Sequence, residues 1–444
     1  MGSSIAFFTK LSANQKRKEL MSFYFLYASI VLVFISIFIV SIFYVDYTSL
    51  FFPDIPKEYI FMGLFFGFFT WLTQIFIKIS DSYALTVSVE LIKIMHKVIS
   101  LLLLLFFIYF TLFDLEHYFY FHYIALLSFL LILTWLFIKK DIFKNILNSQ
   151  FSILNLTKEF IAYCHPLVVY SLLSLGMGFL DIWMLQKYGG SVETGYYGLA
   201  YSLASMCFLF TSAMTPLITR EFSKSYEEKD LENMKKLFFR YIPMLYAIAA
   251  FFSLFVSMQS ENIIAIFTDK KFEDAYLVLV IMAFYPIHQT YGQLSGSIFY
   301  ATGNTKLLRN ISFFTQPFGV LLSFIFIYIL GLGAMGLAYK MIIAQVIGVN
   351  IQLYFNAKIL DFKIKDFLFH QLYVVLLFLL LAYVVSNIFI FTSPLLSFLV
   401  SGMIYTILVI ISAYIFPFIF STNRDEIKYY LMKAHNVIKN KVKK

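Results

Sequence analysis

The chain of 444 residues is 61% hydrophobic and only 13% charged, against roughly 45–50% and about 25% in ordinary soluble domains. So little polar surface excludes a water-soluble globule of this length, and the formal charge of +9 is placed in a way, set out below, that argues against a nucleic-acid-binding protein. Cys164 and Cys207 stand in or beside apolar runs with no CxxC spacing, which argues against a disulfide framework or a zinc site.

Taken in chain order, apolar runs between polar breaks predict spans at 20–44, 58–79, 96–113, 118–138, 160–186, 194–218, 236–258, 275–300, 308–330, 333–355, 367–391 and 395–420. The runs are continuous and about 20 residues or longer, the length a helix needs to cross roughly 30 Å of hydrocarbon. A transmembrane barrel would show short alternating segments instead. Since a bilayer offers no water to backbone groups, helices must carry the crossings. The longer runs predict tilt or extension beyond the membrane. The stretch Met1–Leu20 has no apolar region ending at a small-residue cleavage site, so no cleaved signal peptide is expected.

Basic residues test the count of about twelve. With the N-terminus placed in the cytoplasm, 29 of the 34 Lys and Arg residues fall in inside segments. Lys57, Lys187, Lys270 and Lys271 fall outside, and Lys340 lies within a span. This is the asymmetry of the positive-inside rule, and one missed helix would invert every later loop. It predicts a multi-pass protein with both termini cytoplasmic.

The loops then exclude a soluble catalytic domain, because no outside loop exceeds about 20 residues and the largest inside loops are 139–159 and 219–235. Trp183 and Tyr188 read as interfacial belt residues. Beyond residue 420, Ile427, Leu431, Ala434 and Ile438 alternate with lysines. That pattern suits a basic amphipathic helix on the anionic lipid of the inner leaflet, or a solvated tail.

Arg220-Glu221-Phe222-Ser223-Lys224, a charged loop, and then Lys235-Lys236-Leu237-Phe238-Phe239 are echoed at the start of the chain. There Ala6-Phe7-Phe8-Thr9-Lys10 precedes a charged linker and Leu20-Met21-Ser22-Phe23. If the two are equivalent, the first span matches the seventh and the repeat is six helices long, an arrangement that builds transporters. Residues 1–150 then read as an N-terminal lobe of four helices with an incomplete first repeat. Residues 151–360 form a complete six-helix lobe, 361–420 are two extra helices, and 421–444 are the basic tail. The expectation is a 14-helix plan lacking its first two spans, through a late start codon, a truncated gene or real divergence.

At these residues the chain resembles the polysaccharide (O-antigen, Wzx-like) flippases of the multidrug/oligosaccharidyl-lipid/polysaccharide exporter superfamily. The resemblance rests on Leu180-Asp181-Ile182-Trp183, Gly195-Tyr196-Tyr197-Gly198-Leu199-Ala200-Tyr201 and Pro216-Leu217-Ile218-Thr219-Arg220-Glu221-Phe222. It continues with Tyr300-Ala301-Thr302-Gly303-Asn304-Thr305-Lys306 and Gly333-Ala334-Met335-Gly336-Leu337-Ala338. The ordered set, covering about 160–355, carries the weight; the first 150 residues match more loosely. The resemblance implies an all-α, two-lobed MATE/MOP-like transporter in the bacterial inner membrane. It implies flipping of an undecaprenyl-pyrophosphate-linked oligosaccharide by alternating access coupled to protons or sodium, in company with polysaccharide-assembly proteins. A diphosphate and sugars crossing hydrocarbon need a cationic, hydrated path, since uncompensated charge there costs several kcal/mol or more.

Candidate residues follow from polarity within spans. Lys340 lies seven residues inside its span from Gly333, hence roughly 10 Å deep at 1.5 Å per residue; it either faces the cavity as a cation for the substrate or snorkels outward. Asp181, at a family position, is an ion-coupling candidate or a partner for Lys340 or Lys187. His288, beside Pro286, Gln289, Thr290 and Gln293, marks the most polar stretch in any span. It reads as a substrate-binding or proton-coupling residue or as a buried, bonded histidine, and Gln289 and Gln293 join it as substrate-binding candidates. Arg220, with Lys224, Lys235 and Lys236, is either a receiver of the diphosphate or a topology determinant. His165 next to Pro166 suggests a kink, and Lys78, Asp81, Glu90 and Lys93 are expected to pair. Gly63-x-x-x-Gly67 signals close helix packing. No catalytic residue, metal set or cofactor motif is apparent, as paired intramembrane carboxylates, HExxH and a phosphate-cradling glycine loop are all missing from the sequence. The competing readings are a drug exporter of the same superfamily, a membrane polysaccharide polymerase or ligase, and a non-transporting remnant.

Overall fold

The computed structural model describes residues 2–13, 18–45, 56–110, 114–145 and 152–426; the linker 14–17 and the basic tail beyond 426 lie outside the described residues. Among the described residues the apolar runs fold as helices where the sequence predicts spans. Among the described residues eleven helices are long and apolar enough to cross a membrane, and no strand occurs. The protein is an all-α, multi-span membrane protein.

By internal packing the chain divides into two units, Met1–His165 and Pro166–Lys444. The first holds α1 (Gly2–Ala13), α2 (Lys18–Val45), α3 (Lys57–Ser82), α4 (Thr86–Phe110) and α5 (Leu115–Lys139), with the opening turns of α6 (Ile153–Tyr188). In this unit α3 packs between α1 and α5, and α4 leans on α5. Phe7, Leu11, Ile79, Leu133 and Phe137 are fully buried there. The four charges around the α3–α4 turn pair off as Lys78–Asp81 (3.7 Å) and Lys93–Glu90 (2.6 Å). Asp81 also accepts a hydrogen bond from the Thr86 hydroxyl at 2.9 Å. Lys10, in the last turn of α1, pairs with Glu159.

The division falls inside α6. Proline lacks the amide that would bond the carbonyl of Ala162, yet α6 continues through Pro166, and the neighbouring His165 is exposed. The second unit continues with α7 (Gly190–Ser205), a 3-10 turn at Met206–Phe208, α8 (Leu209–Glu227), α9 (Leu231–Met258), α10 (Ser260–Phe267), α11 (Ala275–Met282) and α12 (Tyr285–Ala301). Then come α13 (Thr305–Ser323) running into a π turn (Phe324–Ile329), α14 (Gly333–Ile359), α15 (Lys365–Ile388) and α16 (Pro394–Ile415).

One predicted span departs from a simple rod. The run 275–300 is two helices, α11 and α12, and neither alone is long enough to cross. Pro286 gives the physical reason: it has no amide to offer the carbonyl of Met282, where α11 ends, and it is well suited to the first turn of the next helix, where it sits. Among the described residues the eleven candidate spans include Gly190–Glu227, which carries the 3-10 turn at Met206–Phe208, and the broken run stands where the sequence predicts one more crossing.

α12 is the axis of the second unit, packed against α8, α9 and α14. Its contacts with α8 are polar as well as apolar: the hydroxyls of Thr211 and Thr290 lie 3.0 Å apart, and those of Thr219 and Ser297 2.7 Å. Small hydroxyl residues let helices approach closely and bond across the gap, which replaces the hydrophobic drive that lipid does not supply. On its other side α12 buries Ile287, Tyr291, Leu294 and Ile298 in a core shared with α9, α15 and α16. The two Phe-[Ser/Thr]-Lys motifs each sit in a helix that precedes a span, Phe8-Thr9-Lys10 in α1 and Phe222-Ser223-Lys224 in α8.

Candidate functional site

Four stripes at helical spacing outline a cavity inside the second unit. From α6 come Tyr170, Ser174, Gly178 and Asp181; from α12 Tyr285, Gln289, Gly292, Gln293, Gly296 and Tyr300. α13 adds Ser312, Thr315, Gln316 and Gly319, and α14 adds Lys340, Gln345, Gly348 and Gln352. Residues three, four and seven apart share a helix face, so each helix turns one polar stripe inward and leaves its apolar side outward. The enclosed volume is about 510 Å³, within the range of roughly 300–1,000 Å³ usual for small-molecule sites.

Glycines make the room. A Cβ at Gly292 would stand 3.0 Å from the Gln345 amide nitrogen and 3.1 Å from a Val349 methyl, and one at Gly319 would stand 3.0 Å from Lys340 Cε. The four helices therefore come together where side chains of the partner helix need that space.

Among the described residues that line the cavity only two carry charge, and they hold each other. Lys340 Nζ donates to Asp181 Oδ2, and Ser323 Oγ donates to Asp181 Oδ1 at 2.6 Å. Lys340 and Asp181 are 8% and 7% exposed, so neither charge is diluted by bulk water. Ser323 is the last residue of α13, immediately before the π turn, a rare geometry that recurs at functional sites. Near the start of α14, Gly331 and Gly333 adopt left-handed backbone, φ +63 and +53, and the Glu193 carboxylate accepts the Ala334 amide at 2.7 Å. A side chain at Gly333 would run into that carboxylate.

The rest of the wall is amide and hydroxyl. Gln345 donates to Gln289, and Gln316 donates to Ser174 at 3.0 Å. The carbonyl oxygens of Gln293 and Gln352 are buried and accept no bond from the described protein. These are acceptors of the kind that pair with ligand hydroxyls or amides.

The structure thus brings Asp181, Lys340, Gln289 and Gln293 into one cavity and leaves two other candidates out of it. His288 turns off the stripe by one position and sets its ring against Tyr246, centroids 5.9 Å apart, on the α9 side of α12. Arg220 lies on α8 with its guanidinium on the neighbouring Glu221 at 2.7 Å. Lys340 lines the cavity rather than snorkelling outward, with its ammonium on Asp181, one of the two partners the sequence offers for that carboxylate. Lys187 rests on the rings of Trp183 and Tyr188 at 4.7 and 5.5 Å and is not the partner of Asp181.

Sequence reasoning passed over Gln316, Gln345 and Gln352, although each is an uncharged polar residue within an apolar run. It also passed over a basic pocket in the first unit. There Lys93, His96 and Lys97 form one face of α4 and meet His122, Phe66 and Phe129 around about 210 Å³. His96 Nε2 lies 3.0 Å from Ser128 Oγ, and the His122 ring packs on Tyr118 and Phe66 at 4.4 and 5.6 Å. The signal available was two histidines inside predicted spans. Among the described residues no group of His, Cys, Asp and Glu is arranged to hold a metal ion.

Comparison with known proteins bears on this architecture. The MatE family model matches residues 166–325, which begins at the second unit and takes in α6, α12 and α13 of the cavity. A MATE transporter crystallised in the straight conformation is similar at TM-score 0.65 and 16% identity, over 81% of this chain and 83% of that one. The fold is that of the MATE transporters. An outward-facing multidrug resistance MATE transporter of the MOP superfamily is similar at TM-score 0.62, 17% identity, and 81% and 82% coverage. A MOP superfamily transporter from Pyrococcus furiosus, described as having a binding pocket of reversed polarity, is similar at 0.61, 15%, and 81% and 83%. Comparison with curated proteins returns no match. In MATE-fold terms the family match stops short of α14, so Lys340 and the glutamines of that helix lie beyond it.

Proposed function

We propose that this MATE-fold protein is a transporter, not an enzyme, and that it flips a lipid-linked oligosaccharide across the bacterial inner membrane. The observation that carries the reading is the charge-neutral, amide-lined cavity of the second unit. Five glutamines and several hydroxyls offer both donors and acceptors, as a polyhydroxylated substrate requires, and Tyr170, Tyr285 and Tyr300 give flat faces for sugar rings. A site built to receive hydroxyls rejects apolar analogues strongly, because its polar groups are then left unpaired. Export of cationic drugs fits less well, since the one carboxylate in the cavity is already neutralised.

The diphosphate needs cationic groups, and in this reading Lys97, on the α4–α5 pocket of the first unit beside Phe66 and Phe129, is one that it meets along its path. Proton or sodium coupling is assigned to Asp181, where an arriving ion competes with Lys340 for the carboxylate. The distribution of basic residues supports cytoplasmic termini.

Complementation of a flippase-null strain tests the proposal. The wild-type gene is expected to restore surface glycan, and a Gln289→Leu/Gln345→Leu variant of normal abundance is expected to fail. Resistance to cationic drugs without restored glycan would overturn the reading in favour of drug export.

A further inference from the structure

The Asp181–Lys340 pair invites a question about selectivity. The cavity has aromatic walls, an enclosed carboxylate and, Lys340 apart, no positive charge. Those are the requirements of an organic-cation site, in which a carboxylate and ring faces together hold a desolvated cation. What prevents this is a cation tethered to the chain itself: the ammonium of Lys340 is already ion-paired with Asp181, it cannot diffuse away, and Ser323 takes the other oxygen at 2.6 Å. Gly319 keeps the path of the lysine stem clear, since a Cβ there would stand 3.0 Å from Lys340 Cε and 3.5 Å from Nζ.

We propose that Lys340 is a tethered counter-cation that sets the charge selectivity of the cavity, occupying the place an organic cation would take and so excluding that class of ligand. Lys340 is then a specificity-determining residue. The inference needs the cavity to be a binding site but does not require its substrate to be a lipid-linked glycan.

A matched pair of probes reads the charge effect alone. Tetraphenylphosphonium and tetraphenylborate have nearly the same size and shape and opposite charge. Their binding to the purified full-length protein in detergent, corrected for detergent uptake, gives a cation-to-anion preference for each variant. Wild type is expected to show little preference. Lys340→Met exposes the carboxylate and is expected to favour the cation by about tenfold or more, the lower range for close charge pairs in buried sites. Asp181→Asn leaves the ammonium and is expected to shift preference toward the anion. The double variant, neutral again, is expected to return to the wild-type ratio. Size-exclusion and melting profiles identify folded variants, and either single variant with the double suffices. An unchanged ratio in a folded single variant, or a cation preference that persists in the double variant, overturns the proposal. Loss of glycan complementation leaves these binding ratios untouched, so the two readings fail separately.

Discussion

The two units handle ionisable groups in opposite ways. In the second unit the charges facing the cavity cancel: Lys340 is held by Asp181, Asp181 also by Ser323, and the remaining polarity is amide and hydroxyl. In the first unit two lysines and two histidines gather on one pocket whose other walls are apolar, and one of the lysines, Lys93, is paired with Glu90. A neutral hydrogen-bonding cavity selects by shape and hydroxyl pattern, whereas a basic apolar pocket selects an anion with a greasy neighbour.

The contrast is broken most severely at Asp181. Asp181→Ala strands the Lys340 ammonium in a site where it is 8% exposed, and removing one partner of a buried pair costs about 3 kcal/mol or more. A large fall in the detergent melting temperature is expected, and Asp181→Asn combined with Lys340→Met should recover most of it. Equal melting of the single and double variants would show that the pair contributes nothing as a pair. Gly319→Ala is expected to act next most strongly, at roughly 1–2 kcal/mol, because an added methyl must displace a lysine stem fixed at its far end. Its transport defect should exceed that of Gly348→Ala, where the nearest atom is a Thr315 methyl at 3.5 Å.

Thr219→Val removes the hydroxyl that meets Ser297 at 2.7 Å, and interhelical bonds in membrane proteins average about 0.6 kcal/mol. Melting should therefore shift modestly without a change in the probe ratios above. In the first unit Lys97 is exposed, so Lys97→Gln should leave stability within about 0.5 kcal/mol. If the basic pocket holds the diphosphate, glycan export should nonetheless fall several-fold; unchanged export would remove Lys97 from the path.

How much of this the sequence made legible depends on the range of the physics involved. Spans were readable because length and apolarity are local properties, and the break in the eighth was announced by Pro286 even though the run looked continuous. Asp181 and Lys340 stood out as charges in apolar segments, but their union spans 159 residues of chain, and nothing local says which of two lysines an aspartate will meet. His288 shows the same limit from the other side. It sits in the most polar stretch of any span, and one step around the helix separates it from Gln289, enough to turn it to Tyr246. Which face of a polar helix looks into a cavity depends on the neighbours that enclose it, so Gln345 and Gln352 gained their meaning only once α14 was seen opposite α12.

The least effect is expected where charge meets water. Asp114 caps α5, its Oδ1 accepting the His117 amide at 2.9 Å and lying 2.7 Å from His117 Nδ1. The His117 amide and then its ring hold the carboxyl below its ordinary range. A carboxylate at a helix N-terminus also meets the positive end of the helix dipole. A depressed pKa in the folded state means that the folded form binds the proton less readily than the unfolded form. The contribution is therefore complete above the ordinary carboxylate pKa of about 4 and is lost as pH falls through the lower, folded value. Asp114→Ala should lower melting slightly at neutral pH and flatten its acid dependence. Asp114→Asn keeps a good capping acceptor but cannot titrate, so it should retain most of the neutral-pH stability while losing the same acid dependence. An acid dependence identical in wild type and Asp114→Asn would assign the titration to another group and leave the cap as a neutral hydrogen bond.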